Sequence, residues 1–308
     1  MADILLLGAT GMVGSQIADA LLERGASLRA VIREGGYEGE KAEAVQGMRD
    51  RGMETVEADI FDADSLAPAV EGIGTVVSAL QGLEDVIVTA QSHVLKAAHG
   101  AGVRRMIPSD FSVDLYRFGW GLNRNLDLRR EFGRRLDASD VQRVSVLNGC
   151  FSDMFLFGFP ILDAEAGTFD LWGDGETKMD FTSVADTARF TAAVAMDGDA
   201  METRRVAGDE LTGRELHEVL QAWVGKPLAL REKGDADALA AHIAELKVAQ
   251  PGEKGSGFPP WQAFQYHHNM ITGDGKLDPL DNHRYPDAKP EGLLAFLKGH
   301  DVPQQQAA

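Results

Sequence analysis

The apolar pattern of the chain opens on an unbroken run, Ile4-Leu5-Leu6-Leu7, which leads through a glycine-rich stretch into an amphipathic helical pattern from Ser15 to Arg24. A short run that is apolar on both faces and ends in glycine predicts a strand buried in a parallel sheet. The same unit then repeats. Apolar runs predict strands over 27–32, 54–58, 75–80, 104–107 and 141–147, and helical periodicity fills 41–51, 65–70, 86–100 and 123–138 between them. Strands alternating with helices predict an α/β fold built on a doubly wound parallel sheet. Beyond residue 150 the texture changes. An apolar run from Cys150 to Phe159 is followed by predicted helices over 182–196, 211–224 and 235–248, a short strand at 228–230, and a Pro- and Gly-rich loop or lid over 251–260. The helix over 211–224 opens with Thr212 and Glu215, a capping-box spacing. The expected organisation is a first domain over 1–150 and a smaller α/β lobe over 151–308, some of whose segments return to the first domain. The last residues, from Pro303, are expected to fray.

The stretch between the first strand and helix is Gly8-Ala9-Thr10-Gly11-Met12-Val13-Gly14. Strand, glycine turn and helix in that order are what a dinucleotide diphosphate requires. One glycine permits the sharp turn, one admits the phosphates close to the backbone, and one lets helix and strand pack, so that N–H groups at the helix start face the anion. A Rossmann-type nucleotide site follows, with Gly8, Gly11 and Gly14 as its frame. Arg33 ends the second strand, where a carboxylate would favour NADH by accepting bonds from the ribose hydroxyls. A guanidinium there suits a 2′-phosphate instead, so NADPH is the expected cofactor, with Lys41 as a second cation; with Glu34 adjacent, the alternative for Arg33 is a solvated residue at a strand end. Tyr37 and Lys41 spell a Tyr-x-x-x-Lys pair, but they lie at the adenosine end, where acid–base chemistry serves no hydride transfer. Asp59, after the third strand, is expected at the adenine edge or as a plain loop carboxylate.

Length and composition narrow the picture. With 308 residues, 44% of them hydrophobic, the chain can bury a full core. Its formal charge of −18 repels nucleic acid, which is excluded as a partner. No apolar stretch reaches membrane-spanning length and no signal-peptide pattern opens the chain, so no membrane partner is expected. Cys150 is the sole cysteine, so no internal disulfide forms, which suits a cytoplasmic setting. It reads as a buried small hydrophobe, since no histidine accompanies it in a nucleophile motif. His93 and His99 do not share a helix face, and neither His267-His268 nor Gly273-Asp274-Gly275 has metal-ligand spacing. No metal is expected.

Pro108-Ser109-Asp110-Phe111 follows the fifth strand at the binding edge, and Trp120 sits in a Gly-flanked loop that can cover a substrate. Four phenylalanines between Phe151 and Phe159, with Phe169 and Trp172, form either core or an aromatic pocket wall. Phe111, Trp120, Phe155 and His267 are the pocket candidates, with a core role as the alternative for each.

Several of these segments together resemble a known family. The glycine turn, Arg33, Pro108-Ser109-Asp110-Phe111, Asn148-Gly149-Cys150-Phe151, Trp172-Gly173-Asp174-Gly175 with Lys178, and Tyr285-Pro286-Asp287 are similar to the isoflavone reductase-like branch of the NmrA-like atypical short-chain dehydrogenases. The likeness runs from the first strand to Leu297. It implies an NADPH-binding domain with a C-terminal substrate lobe, reducing small aromatic compounds of phenylpropanoid type. It also implies that Thr10, Met12 and Val13 line the diphosphate, Ala79, Leu80 and Gln81 the adenosine side, and Phe151 the nicotinamide. The family's reductases carry a lysine in the helix before the sixth strand, placed to handle a proton. Here that place falls at or beside Arg129, and no lysine occurs between Lys96 and Lys178. Arginine stabilises an oxyanion but is a poor proton shuttle, so Arg129 is expected as an electrostatic stabiliser and Asp110 or a bound water as the proton source. An NADPH-dependent reductase is the leading expectation and a non-catalytic NADP(H)-sensing regulator the alternative. Isomerase or lyase chemistry with a retained cofactor, and pairing as a homodimer, stay open.

Overall fold

A computed structural model describes residues 3–252 and 256–303. Of the end expected to fray from Pro303, residues 304–308 lie outside these residues, as do residues 253–255 of the loop expected over 251–260. From the N-terminus the chain forms β1 (Ile4–Leu7), α1 (Met12–Glu23), β2 (Leu28–Ile32), α2 (Glu40–Asp50), β3 (Glu54–Glu57), α3 (Ala67–Val70) and β4 (Thr75–Ser78). There follow α4 (Gln91–Gly100), β5 (Arg105–Ile107), α5 (Arg124–Asp137) and β6 (Gln142–Leu147). Strand and helix alternate as the pattern predicts, with boundaries moved by a few residues. The helix expected over 86–100 begins earlier, at Glu84, and its first turns, Glu84–Ala90, are π-helical.

The lobe contributes β7 (Cys150–Phe151), β8 (Leu162–Asp163), β9 (Thr168–Trp172), β10 (Met179–Thr182), α6 (Val184–Met196), β11 (Glu202–Arg205), β12 (Asp209–Leu211), α7 (Gly213–Val224), β13 (Ala229–Gly234), α8 (Ala236–Ala249), α9 (Pro260–Ile271) and α10 (Leu293–Lys298). Ser183 caps α6, and Thr212 with Glu215 makes the expected capping box on α7. The strand expected at 228–230 runs from Ala229 to Gly234 instead, because it pairs in parallel with β9 over that length.

Seven parallel strands form the main sheet in the order β11-β6-β5-β4-β1-β2-β3. The order reverses between β1 and β4, where the crevice outside the strand C-termini binds ligands in folds of this kind. Two segments from beyond residue 150 join this layer. β11 extends the sheet beside β6, and α6 packs on α1 through Ala188, Ala192 and Ala195, sharing a core with Ile17, Ala18 and Leu21. Small side chains on both helices permit that close approach. Two three-stranded sheets, β12-β10-β7 and β13-β9-β8, build the lobe around a separate core that includes Phe155, Phe159, Phe169, Phe181, Trp172 and Trp223.

Candidate active site

β1 brings the chain to the glycine turn at the reversal point, and the turn tolerates no side chain at its two ends. Gly8 has φ +79°, and a Cβ there would lie 2.7 Å from the Ala79 carbonyl oxygen. A Cβ on Gly14 would lie 2.0 Å from the Gly8 carbonyl oxygen, far inside contact distance. Gly11 donates its N–H to Gly8 (2.9 Å) and caps α1 with extended backbone and no side-chain hydrogen bond. The first N–H groups of a 12-residue helix are thereby left for a ligand, which fits the diphosphate of a dinucleotide. Thr10 and Val13 are half-buried at this turn, and Met12 is exposed.

A cleft of about 400 Å³ continues from the turn. Leu7, Gly8, Val31 and Leu80 form its wall, and Arg33, Tyr37, Asp59 and Phe61 its rim. Arg33 Nε donates to the Gly36 carbonyl (2.8 Å), and the guanidinium lies 5.0 Å from the centre of the Tyr37 ring. One bond and one stacked ring hold Arg33 at the rim, with its two terminal nitrogens outside that bond. Tyr37, set aside as an acid–base residue, is the ring beneath this arginine. Lys41 is exposed in the first turn of α2 and does not line the cleft. Asp59 accepts from the Phe61 N–H (2.9 Å), and its own N–H donates to Ser65 Oγ (2.8 Å), which shapes the rim loop. Ala79 is tied to β1 through Leu7 (2.9 Å), Leu80 accepts from Ser109 Oγ (2.7 Å), and Gln81 is exposed.

The Ser109–Leu80 bond joins this cleft to the end of β5, where Asp110 is 1% exposed. Tyr116 Oη and Ser145 Oγ both donate to Asp110 Oδ2, at 2.8 and 2.7 Å. Burial pushes the Asp110 carboxyl above the usual range, against the pull of these two donors and of Arg143 and Arg129 nearby. Arg143 Nη1 donates to Ser145 Oγ (2.9 Å), and its guanidinium lies over the Tyr116 ring at 4.5 Å. On α5, Arg129 is half-buried, with Nη1 donating to the Asn125 carbonyl (3.0 Å) and Nε sealed without a partner. Neither Tyr116 nor Ser145 belongs to a motif. Tyr116 follows the Pro-Ser-Asp-Phe segment in a loop and Ser145 lies inside a strand, so their meeting at one carboxylate oxygen has no local signal.

The other candidates separate. Phe111 packs under α1 and α6, and Phe151 borders the same core. Cys150 faces the lobe core instead, and burial pushes its thiol up to about 12, so it stays protonated and unreactive at neutral pH. Trp120 is 52% exposed and rests on Arg130 (4.6 Å), which also lies over Phe118 (5.2 Å) and pairs with Asp127 (3.9 Å). Phe155 and His267 sit inside the lobe core, joined through Phe159, at 5.6 and 5.9 Å between ring centres. Burial lowers His267 to about 4, so its ring is neutral near pH 7. Among the described residues there is no cluster of three or more metal-ligating side chains, and no helix is long and apolar enough to cross a membrane.

The chain is 28% identical to pinoresinol reductase 1 of Arabidopsis thaliana over 96% of both chains. It is 25% identical to the isoflavone reductase of Pisum sativum over 94% of both. A solved structure of AtPrR2 with NADP+ and (+)pinoresinol superposes with a TM-score of 0.79 at 25% identity, covering 96% of this chain and 98% of that one. An isoflavone reductase crystal structure, 24% identical, has the same fold with a TM-score of 0.82, covering 96% and 98%. The sequence model of the NmrA-like family matches residues 2–245. With that match over most of its length, and with the glycine turn and reversal-point cleft in place, the chain belongs to the NmrA-like family.

Proposed function

We propose that the protein is an NADPH-dependent reductase of a small aromatic substrate of phenylpropanoid or isoflavone type. The observation that carries this reading is the continuity of three features along one sheet edge: the glycine cradle, the Arg33 rim and the buried acid Asp110. The substrate class follows the relatives, which are named pinoresinol, isoflavone and phenylcoumaran benzylic ether reductases. NADPH, when bound, supplies the hydride.

In this reading Gly8, Gly11 and Gly14 with the start of α1 hold the diphosphate, with Thr10, Met12 and Val13 beside it. Arg33 recognises the 2′-phosphate with two terminal nitrogens that its Gly36 bond leaves over, and Lys41 adds longer-range charge from α2. Asp59, Ala79, Leu80 and Gln81 border the adenosine, and Phe151 borders the nicotinamide. Asp110, protonated more readily than an exposed carboxyl, holds the proton that balances hydride addition. Arg129 holds negative charge as it develops on the substrate, in place of the family's lysine. Trp120 covers the substrate from its exposed loop, while Phe111, packed in the first core, and Phe155 and His267, packed in the lobe core, support the pocket from behind. Residues 1–150 are read as the nucleotide domain and 151–308 mainly as the substrate lobe.

The test is NADPH oxidation across a panel of aromatic enones, lactones and benzylic ethers. Turnover on one of them, falling about 10²-fold in kcat in Arg129→Ala, is the expected result. Unchanged turnover in that variant removes the role given to Arg129. Tight NADPH binding with no turnover on any panel member, together with a co-purifying protein, points to cofactor sensing instead.

A further inference from the structure

We propose that Tyr116 is the positioning residue of the acid: with Ser145 it pins Oδ2 of Asp110 and holds the carboxyl in one orientation. This rests on the reductase reading for its catalytic meaning, while the pinning itself is a property of the resting protein. The geometry is specific. Tyr116 Oη and Ser145 Oγ converge on the same carboxylate oxygen at 2.8 and 2.7 Å and lie 3.2 Å from each other, and neither reaches Oδ1. A carboxyl whose one oxygen is held by two donors cannot rotate without losing both bonds, so Oδ1 keeps a constant direction.

Tyr116 is itself held on three sides. Arg143, bonded to Asp137 (2.6 Å), lies over its ring, and Ser145 meets its hydroxyl. On α5, Gly133 faces that hydroxyl, and a Cβ there would stand 3.1 Å from it. The phenol therefore packs closely against the bare backbone at Gly133. The groups facing Asp110 come from three elements: Tyr116 from the loop after β5, Ser145 and Arg143 from β6, and Arg129 from α5. All four favour the carboxylate, and burial alone opposes them. Tyr116 is kept neutral by burial and by the Asp110 charge, so it serves as a donor and does not compete for the proton.

The sign of the effect follows. Removing the Tyr116 hydroxyl takes away a donor to the ionised form, so Asp110 keeps its proton to higher pH. In Tyr116→Phe the carbonyl infrared band of the protonated acid, identified as the band missing in Asp110→Asn, is expected to persist to a pH about one unit higher than in the parent. Ser145→Ala removes the second donor and is expected to move the band in the same direction, which keeps the test decisive if Tyr116→Phe fails to fold. The proposal is overturned by a band that disappears at the same pH in each folded variant as in the parent, or by Asp110→Asn removing no band at any pH. With a substrate from the panel, the alkaline limb of kcat should rise by the same interval in Tyr116→Phe while KM for NADPH stays constant. Absence of turnover on the whole panel counts against the reductase reading and leaves the infrared result standing.

Discussion

At the scale of single residues, the proposed nucleotide site rests on where side chains are missing and where one cation is placed. Gly8 and Gly14 were identifiable from spacing alone, since each is required by a backbone approach that any Cβ blocks. Arg33 was identifiable from its place at the end of β2, but the ring that steadies it was not, because Tyr37 reaches it around a turn. Arg33→Ala is expected to weaken NADPH binding about tenfold or more, the worth of a charge-assisted bond, and to leave NADH binding nearly unchanged. Titration calorimetry with both nucleotides measures this, and an equal loss for the two removes the 2′-phosphate role. Asp110 shows the limit of such reading. Its motif placed it at the sheet edge, yet burial raises its carboxyl against two donors, Tyr116 and Ser145, that lie six and 35 residues away in sequence.

At the scale of elements, the βαβ repeat was legible because the central strands β1, β4 and β5 are buried along their whole length and the longer helices carry an apolar stripe, while the edge strand β3 is not buried. The region that escaped such reading is α9. Its Gln262, Gln265 and Asn269 fall at helical spacing and are buried, so the polar face that normally marks solvent points inward. They find partners at the start of α5. Gln262 donates to Asn123 Oδ1 (2.9 Å), Asn123 donates to Asn269 Oδ1 (3.2 Å), and Gln265 accepts from the Arg124 N–H (3.3 Å). Asn123 also caps α5 by accepting from Leu126 N–H (3.3 Å). Asn123→Ala therefore removes a cap and strands two buried amides, at a cost of about 2–3 kcal/mol. Urea unfolding reads this directly, and a loss below about 0.5 kcal/mol would show that the amide cluster does not hold α5 to α9.

At the scale of the whole molecule, the sheet and the lobe join where β6 passes through Asn148-Gly149 into β7. Gly149, with φ +70°, is pressed against β10 so closely that a Cβ would lie 2.4 Å from the Asp180 carbonyl oxygen. Asp180 is buried there and is balanced by Lys276, whose Nζ donates to Asp180 Oδ1 (2.6 Å) and Glu210 Oε1 (2.5 Å). The Leu277 N–H donates to its other oxygen (2.8 Å). Lys276→Met leaves Asp180 buried without its cation and is expected to cost about 3 kcal/mol, with Lys276→Met/Asp180→Asn regaining part of the loss. Chemical denaturation of the two variants measures it. Equal stability of the single and double variants would mean that the Asp180 charge is not what the lysine balances.

What the sequence determined by itself is the local machinery: the buried strands, the turn that only glycine can make, and the arginine that ends the second strand. Those features depend on residues within one turn or one strand of each other, so spacing and polarity suffice to read them. The tertiary structure alone decided which distant groups share a hydrogen bond. It placed Tyr116 and Ser145 on one oxygen of Asp110, turned the amides of α9 inward, and made β11 and α6 the segments that return to the first layer. Each of those outcomes is a balance between desolvation and a partner brought from elsewhere in the chain, and no stretch of sequence contains both halves of it.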